Sequence, residues 1–314
     1  MRWGLLLLAV LSLLATPFLG AESVSPSEIL RPETTAYRIF WFLRLPRALV
    51  SLSAGGVLAA LGAVYQILFH NPLAEPYVLG VSSAATLGIA LAEVIAIYGI
   101  AGQLIGFGSA MVLTALLVAL CLSRWGRSMD RIILFGMGLN FVLSSILFLV
   151  LSFANQTVGG GSMRWLFGQI PWVTQSESLM LAGLSLAFLA WLWAEGRKLD
   201  ALSLGDGVAA TLGVSPRKAR TRVLFLTSAL LAILVGYTGS IGFVGLVIPH
   251  LVKLLFHPGT TRKLVLYSFG FGAVFLLWSD VLARVIYPPL EFPIGILTTL
   301  IGGPLFLFLL WRRS

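Results

Sequence analysis

Residues 132–153 read IILFGMGLNFVLSSILFLVLSF, twenty-two positions without a charged side chain. A hydrocarbon core about 30 Å thick takes about 20 apolar residues per helical span. Inside it only a helix or a closed barrel satisfies its own backbone. This stretch therefore reads as a membrane-spanning helix. Working outward, comparable apolar stretches fall at 4–20, 48–69, 78–100, 103–123, 178–194, 223–240, 241–256, 264–283 and 294–311. The predicted fold is all-α, a polytopic membrane protein with about ten transmembrane helices in a single transmembrane domain over 1–314. Glycine and proline between 239 and 249 predict short or broken helices there, which membranes accept where protein buries the freed backbone.

Composition agrees. Of 314 residues, 58% are hydrophobic and 11% charged, less than half the roughly one-quarter share of charged residues in soluble domains. Mean hydropathy is +0.98, and no sizeable soluble domain fits. The 33 glycines suit close helix packing in lipid. A net charge of +9 raises the question of nucleic acid. The basic residues, however, sit in short clusters beside apolar stretches, as flanks of membrane spans do. The implied partner is the lipid bilayer, not nucleic acid. Cys121, alone in an apolar run, is neither half of a disulfide nor a metal site.

Charge placement sets an orientation. With a cytoplasmic N-terminus, the inside segments are 1–3, 70–77, 124–131, 195–222, 253–263 and 312–314. They hold Arg2, Arg124, Arg127, Arg131, Arg197, Lys198, Arg217, Lys218, Arg220, Arg222, Lys253, Arg262, Lys263, Arg312 and Arg313. The outside keeps Arg31, Arg38, Arg44, Arg47, Arg164 and Arg284. Fifteen against six predicts both termini in the cytoplasm. Arg2 followed by LLLLAVLSLLA also has a signal-peptide pattern. Cleavage before Ala21 or Glu22 would put bulky Phe18 or Leu19 where a small residue is wanted, so an uncleaved first span is expected.

The inside loop 195–222 carries structural signals. Ser203 and Asp206 are spaced like a capping box, Gly213 suits a left-handed cap, and Ser215-Pro216 reads as N-cap and first helical residue. A short helix at this face is either an amphipathic connector or a surface for docking a partner. Glu93 and Asp280 lie within apolar spans, which is costly unless they are paired or line a water-filled path. His70, His250 and His257 form no metal constellation, and packing is the expected role of His250.

Five stretches together carry a resemblance. They are RLPR (44–47) with ALV; GAVYQ (62–66) leading into NPLAEP (71–76) and LGVS (79–82); LGDGVAATLGV (204–214); GSIGFVGLVIPH (239–250); and DVLAR (280–284) followed by EFPIG (291–295) and GGP (302–304). In this order they resemble the FecCD-type permease subunits of bacterial ABC importers for ferric siderophores, haem and cobalamin. The resemblance implies the type II importer permease architecture in the bacterial cytoplasmic (inner) membrane. It also implies a homodimer around a central path, driven by two cytoplasmic ABC ATPase subunits and fed by a periplasmic or lipid-anchored substrate-binding protein. Cofactors are expected on the partner only: this chain lacks the GxxxxGK[ST] phosphate loop, so ATP and Mg belong to the ATPase, and the chain itself is a transport subunit rather than an enzyme.

Site residues follow by position. Arg44, Arg47 and Arg284 match places that pair with acidic residues of the binding protein, for which bidentate guanidinium recognition is suited. Asp280, one turn before Arg284, is a rival partner. The loop 195–222 matches the coupling loop, with Ser203, Leu204, Gly205, Asp206, Val208, Leu212, Gly213 and Val214 expected to dock the ATPase. The fifth and tenth spans should line the path, through Asn140, Ser144, Ser145, Thr298 and Thr299; small residues equally serve helix packing. The alternative is an ion-coupled secondary transporter using Glu93 or Asp280. A membrane-embedded enzyme is disfavoured, because no cluster of His, Asp or Glu gathers at one face.

Overall fold

The computed structural model describes residues 2–20, 24–123, 129–154, 167–288 and 290–311. Among these residues the chain is helical, without a strand. The helices are α1 (Arg2–Ala15), α2 (Thr35–Leu68), α3 (Val81–Val94), α4 (Ile100–Leu122), α5 (Met129–Ala154), α6 (Gln175–Ser203), α7 (Asp206–Thr211), α8 (Pro216–Thr238), α9 (Val244–Phe256), α10 (Thr261–Val285) and α11 (Ile294–Trp311). Each of the ten apolar stretches contains a helix. Six helices, α2, α4, α5, α6, α8 and α10, are long and apolar enough to cross a membrane. The other four apolar helices are shorter: the 14 residues of α3 rise only about 21 Å at 1.5 Å per residue. Of the arginines used for orientation, Arg124, Arg127, Arg164, Arg312 and Arg313 lie outside the described residues.

The chain divides into two compact units, 1–60 with 169–194 and 242–314, and 61–168 with 195–241. The boundary passes through the continuous helices α2 and α6. In the first unit α2 packs on α10 with glycine at the contact. A Cβ on Gly55 would collide with the carbonyl oxygen of Gly272, one on Gly272 would collide with Ala59, and one on Gly56 would meet the Phe269 ring at 2.8 Å. Small residues four apart let the two backbones touch, the usual source of helix association in lipid. In the second unit α3 and α4 meet the same way, Gly88 facing Gly106 and Ser109. There the fully buried Tyr65 sets its hydroxyl 3.0 Å from that of Thr227.

Near its start α2 contains a wide π turn over Ile39–Arg44, in which the Leu45 N–H donates to the Phe40 carbonyl. Pro46 follows at once. It has no N–H to give the preceding turn, and a π turn absorbs such a defect without ending the helix.

The expected break near residue 239 is present. α8 ends at Thr238, α9 begins at Val244, and Gly239 and Phe243 have left-handed φ values of 64° and 69°. Its freed backbone is satisfied within each unit. The Ile241 N–H donates to the Tyr77 hydroxyl at 3.0 Å, and the Gly242 carbonyl accepts from the Thr298 hydroxyl at 3.0 Å. Pro249 does not end α9, which runs on through it to Phe256.

Candidate functional site

A buried cluster of charge lies in the first unit, where α2 faces the end of α10. The Arg47 side chain donates from Nε to Asp280 Oδ1 at 3.0 Å, with Nη2 2.9 Å from the same oxygen. Its Nη1 donates to both Glu291 oxygens at 3.0 Å, and its guanidinium lies 5.4 Å from the Trp172 ring centroid. On α10 the i,i+4 pair forms: Arg284 Nε is 3.2 Å from Asp280 Oδ2, an ion-pair contact without hydrogen-bond alignment. Arg284 Nη1 donates to the Leu19 carbonyl at 3.1 Å, and Arg44 Nη1 to the Pro17 carbonyl at 3.2 Å. Arg47 and Arg284 thus face the two carboxylates of Asp280 and Glu291, while Arg44 is held on backbone carbonyls.

Burial decides what this cluster can present. The side chain of Asp280 is 0% exposed, that of Arg47 3% and that of Arg284 8%, whereas Glu291 is 38% exposed. Within this chain the three guanidinium groups expected at an open docking face are turned inward onto carbonyls and carboxylates. The accessible charge is the Glu291 carboxylate, carried on the segment after α10 and fixed there by the Phe292 N–H donating to the Ala283 carbonyl. Asp280 is therefore paired rather than available as an isolated proton carrier, and Glu93 is half-buried in the last turn of α3.

The second candidate is α7 with its flanks. The capping-box expectation fails here. Ser203 closes α6, its hydroxyl donating to the Asp200 carbonyl at 2.6 Å, and Gly205, at φ 100°, precedes α7 without a side-chain cap. Asp206 instead accepts both Nη groups of the buried Arg220, at 2.6 and 2.7 Å. A bidentate guanidinium holds a carboxylate in one plane, so α7 is pinned to α8. Gly213 does form the left-handed cap, at φ 77°. The Val214 N–H donates to the Ala209 carbonyl and the Gly213 N–H to the Ala210 carbonyl, the Schellman pattern. Pro216 opens α8 as expected, but the Ser215 hydroxyl makes no cap bond. Outward, Leu204, Val208 and Leu212 are 64%, 44% and 62% exposed, while Ala209 is buried against the protein. The free face is apolar. The Asp206 carboxylate is paired with Arg220 while its side chain stays 55% exposed.

The expected path residues separate into two kinds. Asn140 Oδ1 accepts from the Ser83 hydroxyl, which also lies 3.3 Å from that of Ser144, so both serve the α3–α5 contact. Thr298 is wholly buried on the Gly242 carbonyl. Ser145 and Thr299 are exposed, and their hydroxyls bond back to Phe141 and Gly295 of their own helices. His250 is buried and stacks edge-on with Phe306 at 5.9 Å. Among the described residues no group of His, Cys, Asp and Glu could hold a metal ion. Sequence reading gave no site role to Glu291, Arg220, Trp172 or Ser83. Only Glu291 lay in a quoted motif.

Known proteins align with this arrangement over nearly its whole length. The chain is 33% identical to the hemin transport system permease protein HmuU of Yersinia pestis, covering 98% of this chain and 94% of that protein. It is 34% identical to the vitamin B12 import system permease protein BtuC of Salmonella typhi, covering 100% and 96%. A solved metal-chelate type ABC transporter in an inward-facing conformation superposes with a TM-score of 0.87 at 30% identity, over 99% of this chain and 98% of that one. The architecture is thus that of an ABC transporter permease, integral to the membrane. The FecCD transport family model matches residues 5–312, and the chain belongs to that family.

Proposed function

We propose that this chain is the membrane subunit of an ATP-driven importer for an iron chelate, haem or a corrinoid. It works as a homodimer with two cytoplasmic ATPase subunits and a binding protein outside, and both its termini are cytoplasmic. The observation that carries this reading is α7: a short helix pinned through Asp206–Arg220, with Leu204, Val208 and Leu212 left exposed. Burying a Val or Leu side chain stabilises an assembly by about 1.5–3 kcal/mol, so these residues form a ready contact for the ATPase. The relatives named for hemin and vitamin B12 support the substrate class.

Docking of the binding protein falls on the Arg47 cluster. Glu291 is the exposed partner of Arg47, and an incoming carboxylate takes its place there. Glu291→Gln is then expected to tighten binding-protein affinity, whereas Arg47→Glu abolishes it. In proteoliposomes, ATP hydrolysis should require the partner ATPase, rise with the loaded binding protein, and lose that response in Leu212→Asp. Substrate uptake by this chain alone, driven by an ion gradient, would refute the proposal.

A further inference from the structure

The first unit holds a groove of about 460 Å³ that the transport reading does not use. Its volume is in the range of small-molecule sites, about 300–1,000 Å³. Leu5 and Ala9 of α1, Leu186 and Leu189 of α6, and Leu266 and Gly270 of α10 line it; of all its lining residues only Tyr267 carries a polar side chain. Leu186 is 61% exposed, so the groove opens on the outer surface of the unit.

One helical turn beyond the groove the surface is cationic. On α6, Leu186, Leu189 and Trp193 follow one helical face, at spacings of three and four. On α10, Arg262, Leu266 and Gly270 do the same. The two stripes join where Arg262 Nε donates to the Trp193 carbonyl at 2.9 Å and its guanidinium lies 5.4 Å from the Trp193 ring centroid. Among the described residues neither Nη group of Arg262 carries a hydrogen bond, and Lys263 beside it is exposed. The groove follows α10 from Leu266 to Ala273, and Arg262 lies one helical turn before Leu266. From Arg262 to Ala273, eleven residues at 1.5 Å each is about 16 Å, close to half of a 30 Å hydrocarbon core. An apolar slot with a paired tryptophan and arginine one turn beyond it, and a lysine beside them, together match the length of one leaflet and complement the charge of an anionic phospholipid.

We infer that this groove binds one anionic phospholipid of the bilayer, an acyl chain lying along Leu266 and Gly270 and the phosphate on Arg262 and Lys263. Basic residues at the headgroup level select anionic lipid, and the aromatic ring sits at the interface where tryptophan is favoured. The site belongs to the leaflet on the side of Arg262.

The test is native mass spectrometry of the full chain, delipidated and titrated with phosphatidylglycerol or phosphatidylcholine. The unaltered chain should bind one phosphatidylglycerol at least tenfold more tightly than phosphatidylcholine. Gly270→Leu fills the groove with little strain, since an added Cβ would meet nothing nearer than Leu5 Cβ at 3.9 Å. It should remove that bound lipid. Arg262→Gln with Lys263→Gln should lower phosphatidylglycerol affinity to the phosphatidylcholine level, and this variant leaves the core untouched. Equal binding of the two lipids by the unaltered chain overturns the inference. So does phosphatidylglycerol retention in either variant.

Discussion

Replacing Asp280 by Asn keeps the shape of the buried side chain and removes its charge. In the native cluster Asp280, wholly buried, sits 2.9 Å from Arg47 and 3.2 Å from Arg284. The substitution leaves two buried guanidinium groups opposed by Glu291 alone. Removing one partner of a buried ion pair costs about 3–5 kcal/mol, because the remaining charge stays desolvated. That is roughly two to three and a half powers of ten in the unfolding equilibrium, at about 1.4 kcal/mol per tenfold. Glu291→Gln acts on a carboxylate 38% exposed, where screening holds the cost to at most about 1 kcal/mol. Denaturation in mixed micelles, followed by the fluorescence of the nine tryptophans, measures both. Asp280→Asn with Arg284→Met balances the charge again, so the pair should recover more than about 1 kcal/mol relative to additivity. If Asp280→Asn costs no more than Glu291→Gln, or the double variant is additive, the cluster is not the ionic clamp described.

Gly55→Val drives a branched side chain into the Gly272 carbonyl; steric overpacking predicts a loss of about 3 kcal/mol or more, read in the same micelle assay, with Gly4→Ala as a control in open space. Tyr77→Phe removes the acceptor of the Ile241 N–H, a cost of about 1–3 kcal/mol for a stranded buried donor, and hydrogen exchange of the Ile241 amide should speed up. Arg220→Met frees Asp206 and α7; limited proteolysis at 203–214 should accelerate while the denaturation midpoint of the remaining helices moves little.

Hydrophobic runs reach the fold directly, because each span must bury its own backbone bonds in helix wherever it sits. Charge bias located the arginines but not their burial. That burial comes from Pro17, Phe18 and Leu19 folding their carbonyls against Arg44 and Arg284, a contact no local pattern encodes. Asp280 and Arg284 were readable as neighbours because i,i+4 spacing fixes them on one helix. Arg47, 233 residues from Asp280, was not. The capping box failed for a related reason: Asp206 had a stronger partner fourteen residues on, in Arg220, and the turn was set by Gly205 rather than by a hydroxyl. The left-handed cap at Gly213 was legible because it depends on one residue's backbone freedom. The short helices α3 and α9 were harder, since sliding hydropathy merges a helix with the apolar loop beside it.

Two contacts between α2 and α10 have a mechanical meaning. Gly55 lies eight residues beyond Arg47, and Gly272 eight residues before Asp280, so both intervals are about 12 Å along antiparallel axes. The helices are bolted at two points the same distance apart, by backbone contact at one and by an ionic bond at the other. A pair fastened at one point can pivot, and a pair fastened only by side chains can slip. This pair can do neither without breaking a bolt. If the chain works as the proposed importer, the stretches Arg47–Gly55 and Gly272–Asp280 are expected to travel through its cycle as a single strut, with the compliance that cargo passage demands supplied elsewhere.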